Sequence, residues 1–359
     1  MVLHKRLYLF VLKKNLTASS ADEEKKNSVE TMSDYGNKML ANNQKSKKRT
    51  TTNNNKPRSL WNADPEKADI TSAMQNVRGK TVFLAGASRG IGKAIALKLS
   101  ADGANVVITG KTTEPHPTLP GTIFTAAEEC KKAGASGALP VVMNVRDEES
   151  VQAAVKKAVD TFGGIDIVFS CASAIFPQPL GEMDSNRYDL MMSVNTRGTM
   201  MVLKATVPYL VESATNDRNP HVVILSPPLD FERNINATNY MVAKGGMTLA
   251  AMFGAIEFRR KGVAFNTLWP TGLVTTSALN HLFSNDPEKL DAMMRSGRTP
   301  QCQADAAYAI VTSHSRKFTG NQCIDEDVLR KRGENDFTKY DYMTLGATRD
   351  ERLAGILAQ

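Results

Sequence analysis

A tyrosine and a lysine, Tyr240 and Lys244, are the side chains of this sequence best placed for acid–base chemistry. They begin a predicted helix over residues 240–258, and residues four apart lie on one face of a helix. A free phenol has a pKa of about 10, which is too high for proton transfer at neutral pH, and a neighbouring ammonium lowers it. The pair therefore predicts a site in which Tyr240 moves a proton and Lys244 tunes its pKa. The same spacing also occurs by chance on helices.

Two polar residues upstream could complete such a site. Ser226 ends a predicted strand over residues 221–226. Asn195 lies inside a long predicted helix over residues 185–211, where asparagine is unfavourable because its side chain competes for backbone groups. Its presence there indicates a local opening of the helix or a bound water. Each residue alone also has an ordinary explanation, a strand end for Ser226 and a surface position for Asn195.

A glycine-rich turn near residue 86 could bind phosphate. It joins an apolar run of strand length, residues 82–85, to a helix-like segment, residues 93–99. Glycine is needed where a chain turns sharply or approaches a phosphate closely, and free N–H groups at a helix start attract the anion. Tight turns use the same residues for structure alone. The predicted dinucleotide-binding residues of this turn are Gly86, Ser88, Arg89, Gly90, Ile91 and Gly92.

The second predicted strand, residues 104–109, ends without an acidic residue. In dinucleotide-binding folds an acid at this point hydrogen-bonds the adenosine ribose, whereas basic residues accept the 2′-phosphate of NADP. Here Lys111 follows the strand, and Arg89 adds a cation from the glycine turn. These features favour NADP(H) over NAD(H), although Lys111 is also compatible with a solvated loop lysine.

Predicted strands alternate with helices of 10–15 residues from residue 76 to residue 340. This alternation predicts βαβ units and a doubly wound parallel sheet, an α/β fold of the Rossmann type. Ligands of such sheets bind outside the carboxyl ends of the strands. Residues predicted to contact the cofactor from these ends are Asn144, Val145, Ala172 and Pro270.

The basic charge of the chain lies entirely in its first residues. Residues 1–58 carry a net charge of +8, which is the charge of the whole chain, so the remainder is neutral and has no bias toward nucleic acid. Residues 1–75 are rich in Asn, Lys, Ser and Thr, which predicts a disordered tail. The basic cluster over residues 45–49 is compatible with nuclear import, but a solvated segment is the simpler interpretation.

The remaining targeting and redox signals are weak. Residues 1–16 combine apolar and basic residues, as in a mitochondrial presequence, so we expect an intracellular protein, mitochondrial or cytoplasmic, and no peroxisomal signal ends the chain. The four cysteines contain no C-x-x-C pair, which argues against a zinc site or a disulfide framework. The sequence contains no run of 18 apolar residues, so it predicts no membrane span.

The order and spacing of the glycine turn, Asn195, Ser226 and the Tyr240–Lys244 pair resemble the short-chain dehydrogenase/reductase family over residues 76–340. The resemblance implies that Lys244 binds the nicotinamide ribose while Tyr240 donates a proton to a carbonyl oxygen as hydride arrives. It implies that Ser226 hydrogen-bonds that oxygen and that Asn195 holds a water of a proton relay. Residues 341–359 form a C-terminal extension.

The resemblance also implies contacts and partners beyond these four residues. Thr275 and Thr276 lie where the family has a threonine that contacts the nicotinamide carboxamide. A homodimer or homotetramer is expected, since the predicted helices from residues 185 and 240 carry apolar and small residues around much of their surface. The long segment over residues 271–298 carries Leu, Phe and Met residues, including Phe283, and is expected either to cover the substrate as a lid or to pack as plain helices.

Residues 170–173 depart from the family, because Ser-Cys-Ala-Ser replaces the expected Asn-Asn-Ala-Gly. Stretches such as residues 226–229 and 318–321 are similar to the sequences of a subgroup of the family that carries a C-terminal lipid-carrier domain. A chain ending at residue 359 is expected to leave no room for that domain. The expected function is NADPH-dependent interconversion of a carbonyl and an alcohol, with an apolar small-molecule substrate. The alternative is a non-catalytic NADP(H)-binding sensor or scaffold on the same fold.

Overall fold

The centre of the molecule is a parallel sheet, as the sequence predicts. The computed structural model describes residues 70, 74–116, 119–229, 237–282 and 287–358. Within them, seven strands take the order β3-β2-β1-β4-β5-β6-β7. The strands are β1 Thr81–Ala85, β2 Asn105–Gly110, β3 Gly137–Val142, β4 Ile167–Ser170, β5 His221–Leu225, β6 Ala264–Trp269 and β7 Gln322–Ile324. The strand order reverses beside β1, so the doubly wound α/β fold is confirmed.

Helices cover both faces of this sheet. They are α1 Gly90–Ala101, α2 Ile123–Ala133, α3 Glu148–Phe162, α4 Ser185–Met191, α5 Gly198–Thr215, α6 Thr238–Phe258, α7 Ser277–Leu282, α8 Pro287–Met294, α9 Pro300–Val311, α10 Asp325–Lys331 and α11 Arg349–Ala358. Alternate residues of β1 point to opposite faces: Val82 and Leu84 enter the core under α1, α2 and α9, while Phe83 packs against α3, α5 and α6. Burial on both faces explains why the strands are apolar throughout.

Local capping signals mark both ends of α2 and the start of α3. Thr122 caps α2 by accepting a hydrogen bond from the N–H of Thr125, and Gly134 ends it with a φ of 111°. Asp147 caps α3 in the same way, through bonds from Glu149 N and Ser150 N. Such caps satisfy backbone groups that the helix itself leaves unpaired.

The folded core begins before the predicted boundary at residue 75. Ile70 is 1% exposed and joins the apolar cluster under α1, and Gln75 N donates to Thr312 O at 2.7 Å. The rest of the predicted tail, apart from Met74, lies outside the described residues.

Residues 341–358 pack against the predicted lid. Leu290 and Met294 of α8 are buried with Tyr342 and Ile356. An ion pair between Arg352 Nη2 and Asp291 Oδ1 at 2.7 Å joins α11 to α8. The C-terminal residues therefore hold α8 in place. Phe283 lies outside the described residues.

One helix of the described part of the chain is long and apolar enough to cross a membrane by length and composition. It covers Thr238–Lys261, with a mean hydropathy of 1.2. Met247, Ala251 and Ala255 of this helix are buried against the sheet, whereas Val242, Phe253 and Ile256 on another face are exposed.

Candidate functional site

The glycine turn between β1 and α1 is shaped by close backbone contacts. Gly86 has a φ of 91°, and a Cβ there would lie 2.7 Å from Ala172 N. A Cβ on Gly92 would lie 2.2 Å from Gly86 O, so the start of α1 packs directly on the turn. The N–H groups of Gly86 and Ala87 both donate to Thr109 O, which ties the turn to the end of β2. The first turn of α1, from Gly90, is left at the carboxyl edge of the sheet, where a phosphate can meet its N–H groups.

Arg89 lies at the N-cap of α1 and binds the loop that follows β2. Its guanidinium donates to Leu119 O and, at 2.7 Å, to Thr112 Oγ1. Burial lowers the pKa of Arg89. Lys111 lies in the same loop and is exposed. The structure therefore brings the two predicted phosphate-binding cations to the same loop, with Arg89 already bonded within it.

The other turn residues and the exit of β3 lie along the same edge. Ser88 is buried, and Ile91 packs against the core under α1. Asn144 N donates to Ser150 Oγ at 3.0 Å. Val145 is buried against the start of α5, where a Cβ on Gly198 would lie 2.9 Å from Val145 Cγ2. These contacts hold the β3 exit next to the helix that carries Asn195.

Asn195 lies in a π-helical turn, Met192–Arg197, between α4 and α5. The local opening predicted for this helix is present, and π turns frequently occur at functional sites. The side chain of Asn195 is fully buried. Its Oδ1 accepts from Ala174 N at 2.8 Å and its Nδ2 donates to Ala174 O at 3.0 Å. The amide therefore fixes the loop that follows β4.

Tyr240 and Lys244 lie one turn apart at the start of α6, as predicted. Lys244 is 3% exposed, and its Nζ donates to Leu225 O at 2.9 Å. The same Nζ lies 6.0 Å from the centre of the Tyr240 ring and 5.7 Å from that of Trp269. Burial lowers the pKa of Lys244 to about 8.

The pKa of Tyr240 departs from the sequence-based prediction. Burial raises it to about 12, and a hydrogen bond with Ser173 offsets part of that rise. We expected Lys244 to lower the phenol pKa toward neutrality. Among the protein groups, desolvation of the phenolate outweighs any such attraction, because the Lys244 ammonium bonds instead to Leu225 O. Tyr240 is therefore protonated at neutral pH.

Ser226 and Tyr240 are not joined by a hydrogen bond among the residues that the structure describes. Ser226 is 0% exposed, and its Oγ lies 3.0 Å from Thr248 Oγ1, one turn beyond Lys244. A tight turn after β5, in which Ser226 N donates to Ile224 O at 3.0 Å, gives the side chain this direction. The expected role of Ser226 in orienting a substrate stays a prediction.

Two residues of the site escaped the sequence-based prediction. Ser173 is exposed, and hydrogen bonding to it offsets part of the raised pKa of Tyr240; the departure from the family at residues 170–173 was the available signal. Asn239 is buried and ties the loop after β4 to α6, since its Nδ2 donates to Phe176 O and its Oδ1 accepts from Gln178 N. No sequence pattern indicated it.

The exit of β6 touches the glycine turn. A Cβ on Gly90 would lie 3.4 Å from Thr276 Cγ2. Thr275 is fully buried, and its N–H donates to Arg298 O at 2.8 Å. Pro270 is half-buried at the end of β6. Both threonines therefore lie at the carboxyl edge, where the predicted carboxamide contact would be made.

Cysteine and metal chemistry are little represented in the site. Cys171 follows β4 near Lys244, and burial raises its pKa to about 12; at neutral pH it is a thiol. The four cysteines are free. The residues that the structure describes contain no group of three His, Cys, Asp or Glu side chains able to hold a metal ion.

Known proteins share this sequence and architecture. The profile of the short chain dehydrogenase family matches residues 80–286. Hydroxysteroid dehydrogenase-like protein 2 of Xenopus tropicalis is 47% identical over 264 residues, 73% of this chain and 60% of that protein. The human protein of that name is 44% identical over 273 residues, with the same two shares. The matched region thus spans 60% of the length of these curated relatives.

Solved structures are also similar to this chain. A short chain dehydrogenase from Mycobacterium thermoresistibile is 46% identical, covers 74% of this chain and 91% of its own, and superimposes with a TM-score of 0.67. A carveol dehydrogenase from Mycobacterium avium, solved in complex with NAD, is 23% identical over 69% of this chain and 96% of its own, with a TM-score of 0.60, and shares the fold.

Proposed function

Because the chain belongs to the short-chain dehydrogenase family, we propose that it is an NADP(H)-dependent oxidoreductase that interconverts a carbonyl and an alcohol. The observation that carries this proposal is the placement of Tyr240 and Lys244 one helical turn apart, at the carboxyl edge that also carries the glycine turn. A proton donor and a dinucleotide cradle on one edge are what such a reaction requires.

The residues present fit a dinucleotide. A Cβ on Gly86 or Gly92 would clash with backbone atoms of the protein itself, so these glycines let the turn close tightly against the start of α1. That helix start offers N–H groups for a pyrophosphate. Asn144, Val145 and Ala172 would border the adenine side, and Pro270, Thr275 and Thr276 the nicotinamide side. When bound, the cofactor supplies or accepts the hydride.

The protein's own part in the reaction is proton transfer and positioning. Tyr240, protonated at neutral pH because its pKa is raised to about 12, donates its phenolic proton to the carbonyl oxygen during reduction. Lys244, whose pKa is lowered to about 8 by burial, is a proton reservoir one turn away and would hydrogen-bond the ribose of a bound cofactor. Asn195 keeps the loop after β4 in place through Ala174.

Preference for NADP(H) is proposed from charge. The segment after β2 offers Lys111 and Arg89 and no carboxylate, which suits a 2′-phosphate. Arg89 already bonds Thr112 and Leu119, so exposed Lys111 is the cation with the greater freedom to meet the phosphate.

The partners of the chain are also proposals. An apolar face of α6, formed by Val242, Leu249, Phe253 and Ile256, is exposed together with Met200 of α5. Burying this face against a second copy would form the expected homodimer or homotetramer.

The substrate is proposed to be an apolar small molecule. A mitochondrial or cytoplasmic location is proposed from residues 1–16 and would be tested by imaging a fusion with those residues deleted.

A panel of apolar carbonyls, from benzaldehyde to benzil and a steroid ketone, tests the proposed function. NADPH oxidation followed by absorbance should reveal at least one accepted substrate. If the chain binds NADPH and reduces none of them, the sensor or scaffold becomes the better description. The altered residues 170–173 and the buried Ser226 are the observations that favour that alternative.

A further inference from the structure

The loop that follows β4, residues 174–180, carries apolar side chains and is called the β4 loop here. Ile175 and Phe176 are half-buried, and Leu180 is 65% exposed. The guanidinium of Arg187 lies 4.3 Å from the centre of the Phe176 ring, within the range of a cation–π contact. The β4 loop therefore offers apolar surface at the carboxyl edge of the sheet, where ligands of such folds bind.

The first part of the β4 loop is held by the chain segments around Asn195. The amide of Asn195 accepts from Ala174 N at 2.8 Å and donates to Ala174 O at 3.0 Å. Phe176 N donates to Met191 Sδ at 3.4 Å. These bonds fix the loop to the π turn and to the end of α4. The helix that carries Tyr240 is α6, and it needs a separate connection to the loop.

Asn239 makes that connection with three hydrogen bonds. Its Nδ2 donates to Phe176 O at 3.0 Å, and its Oδ1 accepts from Gln178 N at 3.1 Å and from Tyr240 N at 2.7 Å. The side chain is 1% exposed, so its loss would leave backbone groups of the loop without these partners in a buried place. One amide thus joins the β4 loop to the backbone of the proton donor.

The position of the β4 loop relative to Tyr240 bears on substrate binding more than on proton transfer. The phenol that donates the proton belongs to α6, and it stays on that helix if the loop moves. An apolar group of the substrate that packs on the loop loses its contacts, because dispersion attraction falls steeply when a gap opens. The length of the apolar group then decides how much binding is lost.

We propose that Asn239 is a positioning residue that sets substrate specificity, because it holds the β4 loop beside Tyr240 as one wall of the pocket for the apolar part of the substrate. This inference rests on the proposed oxidoreductase function. The substrate class is a ketone or aldehyde with an apolar group large enough to contact Ile175 and Phe176. Asn239 takes no part in the transfer of the proton or the hydride.

The test compares Asn239→Ala and Asn239→Ser with the control Asn219→Gly. Asn219 is also buried and also holds a loop, since its Nδ2 donates to Ser313 O at 2.9 Å and its Oδ1 accepts from Ser315 N at 2.7 Å. It precedes β5, at the opposite edge of the sheet, and its φ of 57° suits glycine. Asn239→Ser keeps a small polar group, so it serves if alanine impairs folding.

NADPH oxidation would give kcat and KM for the largest carbonyl of the panel that the wild type reduces and for a smaller one, and fluorescence would give NADPH affinity. Asn239→Ala should raise KM for the largest carbonyl by about tenfold, as loss of contact with about one methylene group does. NADPH affinity should be unchanged and kcat should change little, because the interaction lost is one of binding. KM for the smaller carbonyl should rise less, Asn239→Ser should behave as Asn239→Ala does, and Asn219→Gly should match the wild type.

Three results would overturn the inference while leaving the proposed function intact. They are an unchanged KM for the largest carbonyl in both Asn239 variants, an equal rise for the smaller carbonyl, and the same rise in Asn219→Gly. Loss of folding in both Asn239 variants would show a structural role and would overturn it as well. A wild-type chain that binds NADPH but reduces no carbonyl would overturn both the inference and the proposed function.

Discussion

Lys244 should make the stability of the protein depend on pH in a way that a single substitution isolates. Burial lowers its pKa from 10.5 to about 8, and since one pKa unit corresponds to about 1.4 kcal/mol, the charged form costs about 3 kcal/mol in the fold. The unfolded chain binds this proton more tightly, so stability rises as pH increases from 8 toward 10.5. Between pH 7 and pH 9 the linkage gives a gain of about 1 kcal/mol.

Lys244→Met removes this titration, and urea unfolding at pH 7 and pH 9 would measure the effect. The wild type should gain about 1 kcal/mol more than the variant between the two pH values. The contributions of other titrating groups to the change in unfolding free energy cancel in this comparison. Most of the contribution of the hydrogen bond from Nζ to Leu225 O also cancels, because the neutral amine still donates it.

Lys111→Met is the matched control. Lys111 is exposed, so its removal takes no buried group out of the fold, and the wild type and this variant should change equally with pH. The unfolding free energies of the wild type and Lys244→Met should not change equally between pH 7 and pH 9. An equal change, or a loss of stability by the wild type relative to the variant, would show that Lys244 is not a buried ammonium with a lowered pKa.

Three further predictions concern activity and assembly. The rate of carbonyl reduction should fall as pH rises through about 8, because Lys244 loses its proton there. Tyr240, with a pKa of about 12, keeps its proton over the same range. Lys244→Arg should move this decline in rate to higher pH. Fluorescence titration should show tighter binding of NADPH than of NADH, and Lys111→Asp should narrow or reverse the difference; tighter NADH binding by the wild type would contradict the charge argument. Phe253→Glu, on the exposed face of α6, should yield monomers in analytical ultracentrifugation at micromolar concentration, and a wild-type monomer would refute the proposed assembly.

The sheet and several helices could be predicted from local signals. Apolar strand runs alternate with capped helices, and Thr122 and Gly134 mark the ends of α2 by chemistry that acts within a few residues. Asn195 indicated an interruption of its helix, and a π turn occurs there, from which its amide bonds Ala174 in the loop after β4.

The features that local signals could not predict depend on tertiary contacts. β7 is three residues long and owes its place to pairing with β6. The pKa of Tyr240 is decided by desolvation, which requires knowing what surrounds the ring. Ser226 follows the last residue of β5, and the tight turn through Ile224 O directs its hydroxyl to Thr248. A strand end therefore locates a residue at an edge without fixing where its side chain points.

The central claim, that Tyr240 is the proton donor of a reductase, is tested most directly by the turnover of Tyr240→Phe. The substitution keeps the ring and its packing and removes the donor. With an accepted carbonyl, kcat should fall by about 10²–10⁴-fold while NADPH affinity stays nearly unchanged. The control Tyr209→Phe, half-buried toward the far end of α5, should retain turnover. Wild-type kcat in Tyr240→Phe would contradict the account.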